Sequence, residues 1–207
     1  MTMKTQSKKS PVALAVLALL YEEPMHTYKM WQLIKERAKD EVINVRYRNT
    51  LYQTIDRLLR DGLIIEKEVR QEENRPEQII YELTVIGRKT AKYWLREMIA
   101  EPAEEYPELP VALAFLPMLP VDEVITLLKT RVKKLSSEIS RMNEILGEAQ
   151  DKILRLFLLE TEFVLAKTAA EKIWVEGLIN DLETGEIHWN EAWLRELAKK
   201  FSDEMNH

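Results

Sequence analysis

The stretch YRNTLYQTIDRLLRDGL runs from Tyr47 to Leu63, and its reading decides how the rest of the chain is understood. At 100° per residue, Leu51, Ile55, Leu58 and Leu59 fall on one face of a helix. Thr50, Gln53, Arg57 and Arg60 fall on the other, with Tyr52 on the flank and one acidic interruption at Asp56. Asn49 is placed to cap this helix, Arg46 and Arg48 precede it, and Gly62 stands where a left-handed residue closes one. Duplex DNA asks for such a face: phosphates take cations and N–H donors, and base edges take Gln, Asn, Arg and Thr. The free N–H groups and positive dipole end of the helix N-terminus would face a phosphate. A merely solvated helix face has the same pattern, and the wheel alone does not separate the two readings.

Working outward, Ser10-Pro11 reads as an N-cap followed by Pro at N1, opening a first helix that runs to about Tyr21 and is apolar nearly all round. A second helix is expected from near Thr27 to about Lys39, with Tyr28, Met30, Trp31 and Ile34 as its inward stripe. After Gly62, LIIEKEVRQ and QIIYEL read as strands around a turn at EENRP, and Thr84 caps a fourth helix, VIGRKTAKYWLREMIAE. Three helices followed by a β-hairpin make a winged helix-turn-helix, an architecture that reads DNA and in some proteins binds only protein.

The composition bounds the alternatives. The chain has 207 residues, no cysteine and a net charge of -5. That excludes disulfides and thiolate metal sites, and it fits a reducing compartment such as the cytoplasm. The apolar run Val12–Leu20 behind a basic start outlines a secretory signal. Tyr21, Glu22, Glu23 and Pro24 follow where small residues would be needed for cleavage, so a helix of the mature domain is expected. No segment reaches the ~20 apolar residues that span a bilayer, so no membrane association is expected. Charge is uneven: residues 1–102 carry 18 Lys and Arg against 15 Asp and Glu, and residues 103–207 carry 12 against 20. The break falls at EPAEEYPELP, Glu101 to Pro110. The expected division is a winged helix-turn-helix DNA-binding domain at 1–100, a Pro-rich connection at 101–120, and a helical, coiled-coil-like dimerisation domain at 121–207. The fold class is mostly α, with the wing as its only sheet.

The segments PVALAVLALLYEEPMHTYKMWQLIKE, NTLYQTIDRLLRDGLI and YELTVIGRKTAKYWL resemble the DNA-binding domain of the PadR family of transcriptional regulators. PVALAFLPMLPVDEVITLLKTRV and FVLAKTAAEKIWVEGLINDLETGEIHW resemble the helical C-terminal domain of its longer members. The resemblance implies a DNA-binding regulator, commonly a repressor, that dimerises through its second half. It carries Asn74 and Arg75 over as wing contacts with DNA. Thr27 stands where the family usually has Gly, and the wing, RQEENRPEQIIY, is acidic where the family's is basic and Gly-rich: Glu72, Glu73 and Glu77 offset Arg70 and Arg75.

In the second half, Leu128, Val132, Leu135, Ile139, Met142 and Leu146 recur at heptad spacing. A second long helix is expected after Gly147, from about Asp151 to Leu182, with Leu156, Leu159, Phe163, Ala166, Ala170, Ile173 and Gly177 as its seam. NEAWLRELAKKF reads as a last short amphipathic helix. These seams suit a helical hairpin within the chain and a homodimer together. Such a dimer would set two copies of the reading helix roughly 34–36 Å apart, on a near-palindromic operator. Trp174, Trp189 and Trp193, with Phe157 and Phe163, suit either an effector pocket or core and dimer packing. There is no Gly-rich phosphate loop or nucleophile motif, and His26, His188 and His207 show no metal-ligand spacing. Neither an enzyme nor a cofactor or metal is expected. The alternative function is a winged-helix protein-interaction module that does not bind DNA.

Overall fold

The computed structural model describes residues 8–45, 47–70, 78–149, 152–190, 192–196 and 199–200, apart from the side chains of Arg48 and Arg70. Most of them are helical, with one two-stranded antiparallel sheet. The chain divides into two compact units, Met1–Glu104 and Glu105–His207.

The first unit runs α1 (Pro11–Glu22), α2 (Thr27–Glu36), α3 (Arg48–Arg60), β1 (Ile64–Arg70), β2 (Gln78–Leu83) and α4 (Val85–Ala100). Local chemistry sets three of the helix starts. Ser10 Oγ accepts the Ala13 N–H at 3.2 Å, His26 Nδ1 the Lys29 N–H at 3.1 Å, and Thr84 Oγ1 the Gly87 N–H at 2.9 Å. Gly62 takes φ +69° after α3. Inside, Leu17, Met30, Ile34, Leu51, Ile55, Leu58, Ile64 and Trp94 are almost wholly buried, each contributing roughly 1.5–3 kcal/mol by removal from water.

Two details differ from the expected pattern. Helix α2 stops at Glu36 and not near Lys39, because Ala38 turns left-handed (φ +51°) and a 3₁₀ turn, Lys39–Glu41, follows. Its buried stripe is Thr27, Met30 and Ile34. Tyr28, expected inward, is half exposed and forms a loose stack with His26 and Trp31 on the helix flank.

Strand β1 pairs with β2 from Ile64 opposite Leu83 to Arg70 opposite Gln78, with an irregularity between Glu66 and Glu68. Met25, ahead of α2, exchanges both backbone hydrogen bonds with Tyr81, at 3.2 and 3.1 Å, which ties the wing base to the helices. The turn out of α3 is held still more closely. The Leu63 carbonyl accepts the Thr84 N–H at 3.1 Å and the Thr84 hydroxyl at 3.0 Å, and the same hydroxyl lies 2.9 Å from the Gly62 carbonyl. Gly87 packs against this turn so tightly that a Cβ there would lie 1.9 Å from the Leu63 oxygen.

The second unit holds α5 (Glu108–Ala114), α6 (Val121–Ala149) and α7 (Leu159–Thr184), with 3₁₀ turns at Leu116–Met118 and Arg155–Phe157. The expected 101–120 connection therefore contains a helix. Pro110 sits in the first turn of α5, where proline costs no hydrogen bond, and Leu109, Leu113 and Leu116 pack on a core of Val124, Leu128, Val175, Leu178, Ile179 and Leu182. Gly147 does not end α6, and α7 begins at Leu159, well after the expected Asp151. An isolated glycine costs a helix only about 1 kcal/mol, less than the packing of its neighbours returns. Arg131 to Glu171 (2.6 Å) and Lys129 to Glu183 (2.5 Å) tie α6 to α7. In the stretch expected to form the last helix, residues 192–196 and 199–200 are helical.

The two glycines make a test. Gly87→Ala is expected to cost more than ~3 kcal/mol in urea unfolding or to prevent folding, because the nearest atom is backbone. Gly147→Ala, whose Cβ meets nothing within 4 Å on α6, is expected to gain about 0.5–1 kcal/mol.

Candidate nucleic-acid interface

Helix α3 is mounted by its apolar side. Leu51, Ile55 and Leu58 are at most 1% exposed, and Leu59 packs on the edge of the same core. The opposite side turns Asn49, Tyr52, Gln53, Asp56 and Arg60 to solvent, at the 3- and 4-residue spacing of a single face. Two threonines fix the helix locally: Thr54 is buried, donates to the Thr50 carbonyl at 2.7 Å and was not singled out by the sequence reading, while Thr50 is only partly exposed.

The helix begins two residues before the expected start, with its cap at 47 and not at 49. Tyr47 is the N-cap residue, with no side-chain cap bond, and Asn49 lies inside the first turn. Asn49 is therefore free to project from the surface. Tyr47 itself is 76% exposed at this end, an aromatic absent from the sequence candidates although it heads the deciding stretch. Arg46, Asn74 and Arg75 lie outside the described residues, as does the side chain of Arg48.

Arg57 does not stand in the exposed row. It is half-buried, one terminal nitrogen donates to Ser10 Oγ at 3.1 Å, and its Nε is buried with no acceptor among the described residues. Position 57 is rotated about 40° from Gln53 towards the side on which α1 packs, so the start of α1 captures the guanidinium. Arg60, a turn further on, stays exposed, with only a 3.4 Å contact from its Nε to the Asp56 carbonyl. At the wing base, burial first and then the nearby Glu66 carboxylate push the Tyr81 hydroxyl above its ordinary pKa.

The second unit sorts the two seams. On α6, Leu128 and Met142 are buried and Val132, Leu135, Ile139 and Leu146 half-buried; α6 and α7 pack along each other as a hairpin within the chain. The seam read for the following helix lies differently. Leu156, Leu159, Phe163, Ala166, Ala170, Ile173 and Gly177 are all exposed, Phe163 and Ile173 at 69% each. The side of α7 that meets α6 is Val175, Leu178, Ile179 and Leu182.

The aromatic set does not form a pocket. Trp174, Trp193, Phe157 and Phe163 are exposed, and Trp189 donates its indole N–H to the Leu119 carbonyl at 2.9 Å. A concave apolar pocket of about 340 Å³ lies instead in the first unit, lined by Leu14, Ala18, Leu33, Ile43 and Met98. It also includes Glu22 and Arg37, paired at 2.6 and 2.8 Å. The Arg37 guanidinium holds the Glu22 carboxyl below its usual range. Among the described residues no acidic or histidine cluster could hold a metal, and no helix is long and apolar enough to cross a membrane.

An anchored helix with a polar outer face, followed by a two-stranded wing, defines the first unit as a winged helix-turn-helix domain. Residues 16–93 match the model of the transcriptional regulator PadR-like family, so this stretch of the chain is similar to that family's domain. Several solved structures are similar in fold over most of the chain. Bacillus subtilis PadR in complex with operator DNA superposes with a TM-score of 0.68 at 17% identity, covering 84% of this chain and 99% of that one. The same protein in complex with p-coumaric acid gives 0.67 at 16% identity, covering 83% and 98%. The Vibrio cholerae virulence activator AphA gives 0.63 at 15%, covering 84% and 98%. No curated protein matches the sequence. At these identities the likeness is one of fold.

Ser10 serves two bonds at once, the α1 cap and the Arg57 acceptor. Ser10→Ala is expected to lower stability by about 1–2 kcal/mol in denaturant unfolding. It should also increase hydrogen exchange at the first turn of α1. A change below a few tenths of a kcal/mol would show that neither bond matters in solution.

Proposed function

We propose that this chain is a sequence-specific DNA-binding transcriptional regulator that acts as a homodimeric repressor on a near-palindromic operator. The observation that carries the reading is the mounting of α3: a face of Asn49, Tyr52, Gln53 and Arg60 is held outward by a helix whose other side is locked into the core. Gln and Asn supply bidentate donor and acceptor pairs for a base edge, and Arg60 a cation for the backbone. The family match at residues 16–93 and the fold shared with an operator-bound PadR favour this reading over a protein-interaction module. The structure with p-coumaric acid supports a small-molecule effector for this chain as well.

In this reading Gln53 specifies and Arg60 grips. Arg57, bonded to Ser10, acts mainly by holding α3 against α1. In gel-shift titrations at two salt concentrations against the DNA upstream of its own gene, Arg60→Ala should weaken binding to every duplex and lower the salt slope by about 1. Gln53→Ala should relax preference at one base pair. Two variants that bind like the parent would remove α3 as the reader.

For the dimer we assign the outward stripe of α7 (Leu159, Phe163, Ala166, Ala170 and Ile173) as the contact between copies, with Leu156 at its start. The α6 residues Leu128, Val132, Leu135, Ile139 and Met142 serve the hairpin that supports it. Phe163→Glu with Ile173→Glu should give a folded monomer in sedimentation and a large loss of operator affinity. An intact dimer would reject the stripe.

A further inference from the structure

The outer face of α4 is a second charged surface, separate from α3. Arg88, Lys89, Lys92 and Arg96 are all exposed there, and among the described residues no ion pair engages any of the four. The one carboxylate within α4, Glu97, is already engaged by Lys9 at 3.5 Å. Tyr21, from the last turn of α1, lies against the same face. Its ring centroid is 4.2 Å from the Arg88 guanidinium carbon and 5.4 Å from Lys92 Nζ. Both cations are therefore pre-positioned over a phenol rather than free to sweep the solvent, which lowers the entropy lost when they meet an anion. Lys92 and then Arg88 also hold the Tyr21 hydroxyl below its ordinary pKa.

Apolar side chains continue the stripe. Leu95 lies three residues beyond Lys92 and Ile99 seven beyond it, so both sit on the cationic side of the helix. They are 48% and 78% exposed. A duplex backbone gives isoleucine nothing to pack on, so this mixture suits a protein better than phosphates. Helix α1 packs against both α3 and α4, which share little direct contact, so an occupant of the α4 face leaves the α3 face open.

We propose that Arg88, Lys92, Arg96, Leu95, Ile99 and Tyr21 form a docking site for an acidic, leucine-bearing helix of a partner protein. The carboxylates would meet the Arg88–Lys92–Arg96 row, and the leucines Leu95 and Ile99. The assignment does not depend on α3 reading DNA.

The probe is a fluorescein-labelled synthetic helix of about 18 residues, with Glu and Leu on one face at 3- and 4-residue spacing, beside a scramble of identical composition. Fluorescence anisotropy with the full chain should show the ordered peptide binding roughly tenfold more tightly than the scramble. Arg88→Gln with Lys92→Gln, and separately Ile99→Ser, should each weaken it by about fivefold or more. Unchanged far-UV circular dichroism and melting temperature would confirm that these surface variants fold. Equal binding of the scramble overturns the proposal, as does equal binding by the double Gln variant. Displacement of the peptide by a duplex, with loss of duplex binding in that variant, would make the face a nucleic-acid contact. A smaller sedimenting species for that variant would make it a contact between copies.

Discussion

The carbonyl of Leu63 is the constraint on which the winged-helix domain turns. It accepts both the backbone N–H and the hydroxyl of Thr84, and it lies where a side chain on Gly87 would have to be. This contact joins the end of α3, the start of β1, the end of β2 and the first turn of α4 at one point. Because the chain returns to Leu63 after the whole wing, the direction in which β1 and β2 leave the body is set by a few short bonds at their base. Met25 adds a second fastening, through its paired bonds to Tyr81. The threonine and glycine of the stretch LTVIG are thus required by geometry: Thr84 supplies a donor and a cap acceptor with one hydroxyl, and Gly87 permits the approach.

The same economy shapes the outward face of α3. Its anchoring side is among the most completely buried parts of the domain, so its polar side has little freedom to tilt. Arg57 is spent in holding α3 to the α1 cap, with its Nε left without an acceptor among the described residues. An unsatisfied buried donor of this kind is costly, and its natural compensation is the charge-assisted bond to Ser10 on the same guanidinium. The face left for a ligand is therefore more amide and aromatic than cationic, with Asn49, Tyr52, Gln53 and Tyr47 outnumbering the exposed Arg60 among the described residues.

Features decided within a turn of the chain were legible in the sequence. Ser10-Pro11, Thr84 and Gly62 mark helix ends by chemistry that acts over three or four residues, and Leu51, Ile55 and Leu58 mark a buried face by period alone. What escaped depended on distant partners. Nothing near Arg57 announces that Ser10, 47 positions away, will accept its hydrogen bond. Tyr28 carries the right period for a core, yet Thr27, one position earlier, took the buried place, while Trp31 packs partly buried against the core. Gly147 looked like a stop because local propensity disfavours it, and packing against α7 overrode that preference. The heptads of α6 and the later seam identified apolar faces without saying which neighbour each would meet. Only the folded hairpin separates the half-buried Leu135 and Ile139 from the solvent-facing Phe163 and Ile173.

That last separation has a consequence for the chain in a cell. Helix α7 is apolar on two sides, and its own hairpin satisfies only one. In the proposed dimer the second side would be covered as well. Under mass action, occupancy of a two-fold target by the proposed dimer would climb more steeply than in proportion to the amount of protein made. A modest rise or fall in synthesis would then act as a sharper switch than any single-chain reader of the same affinity could provide.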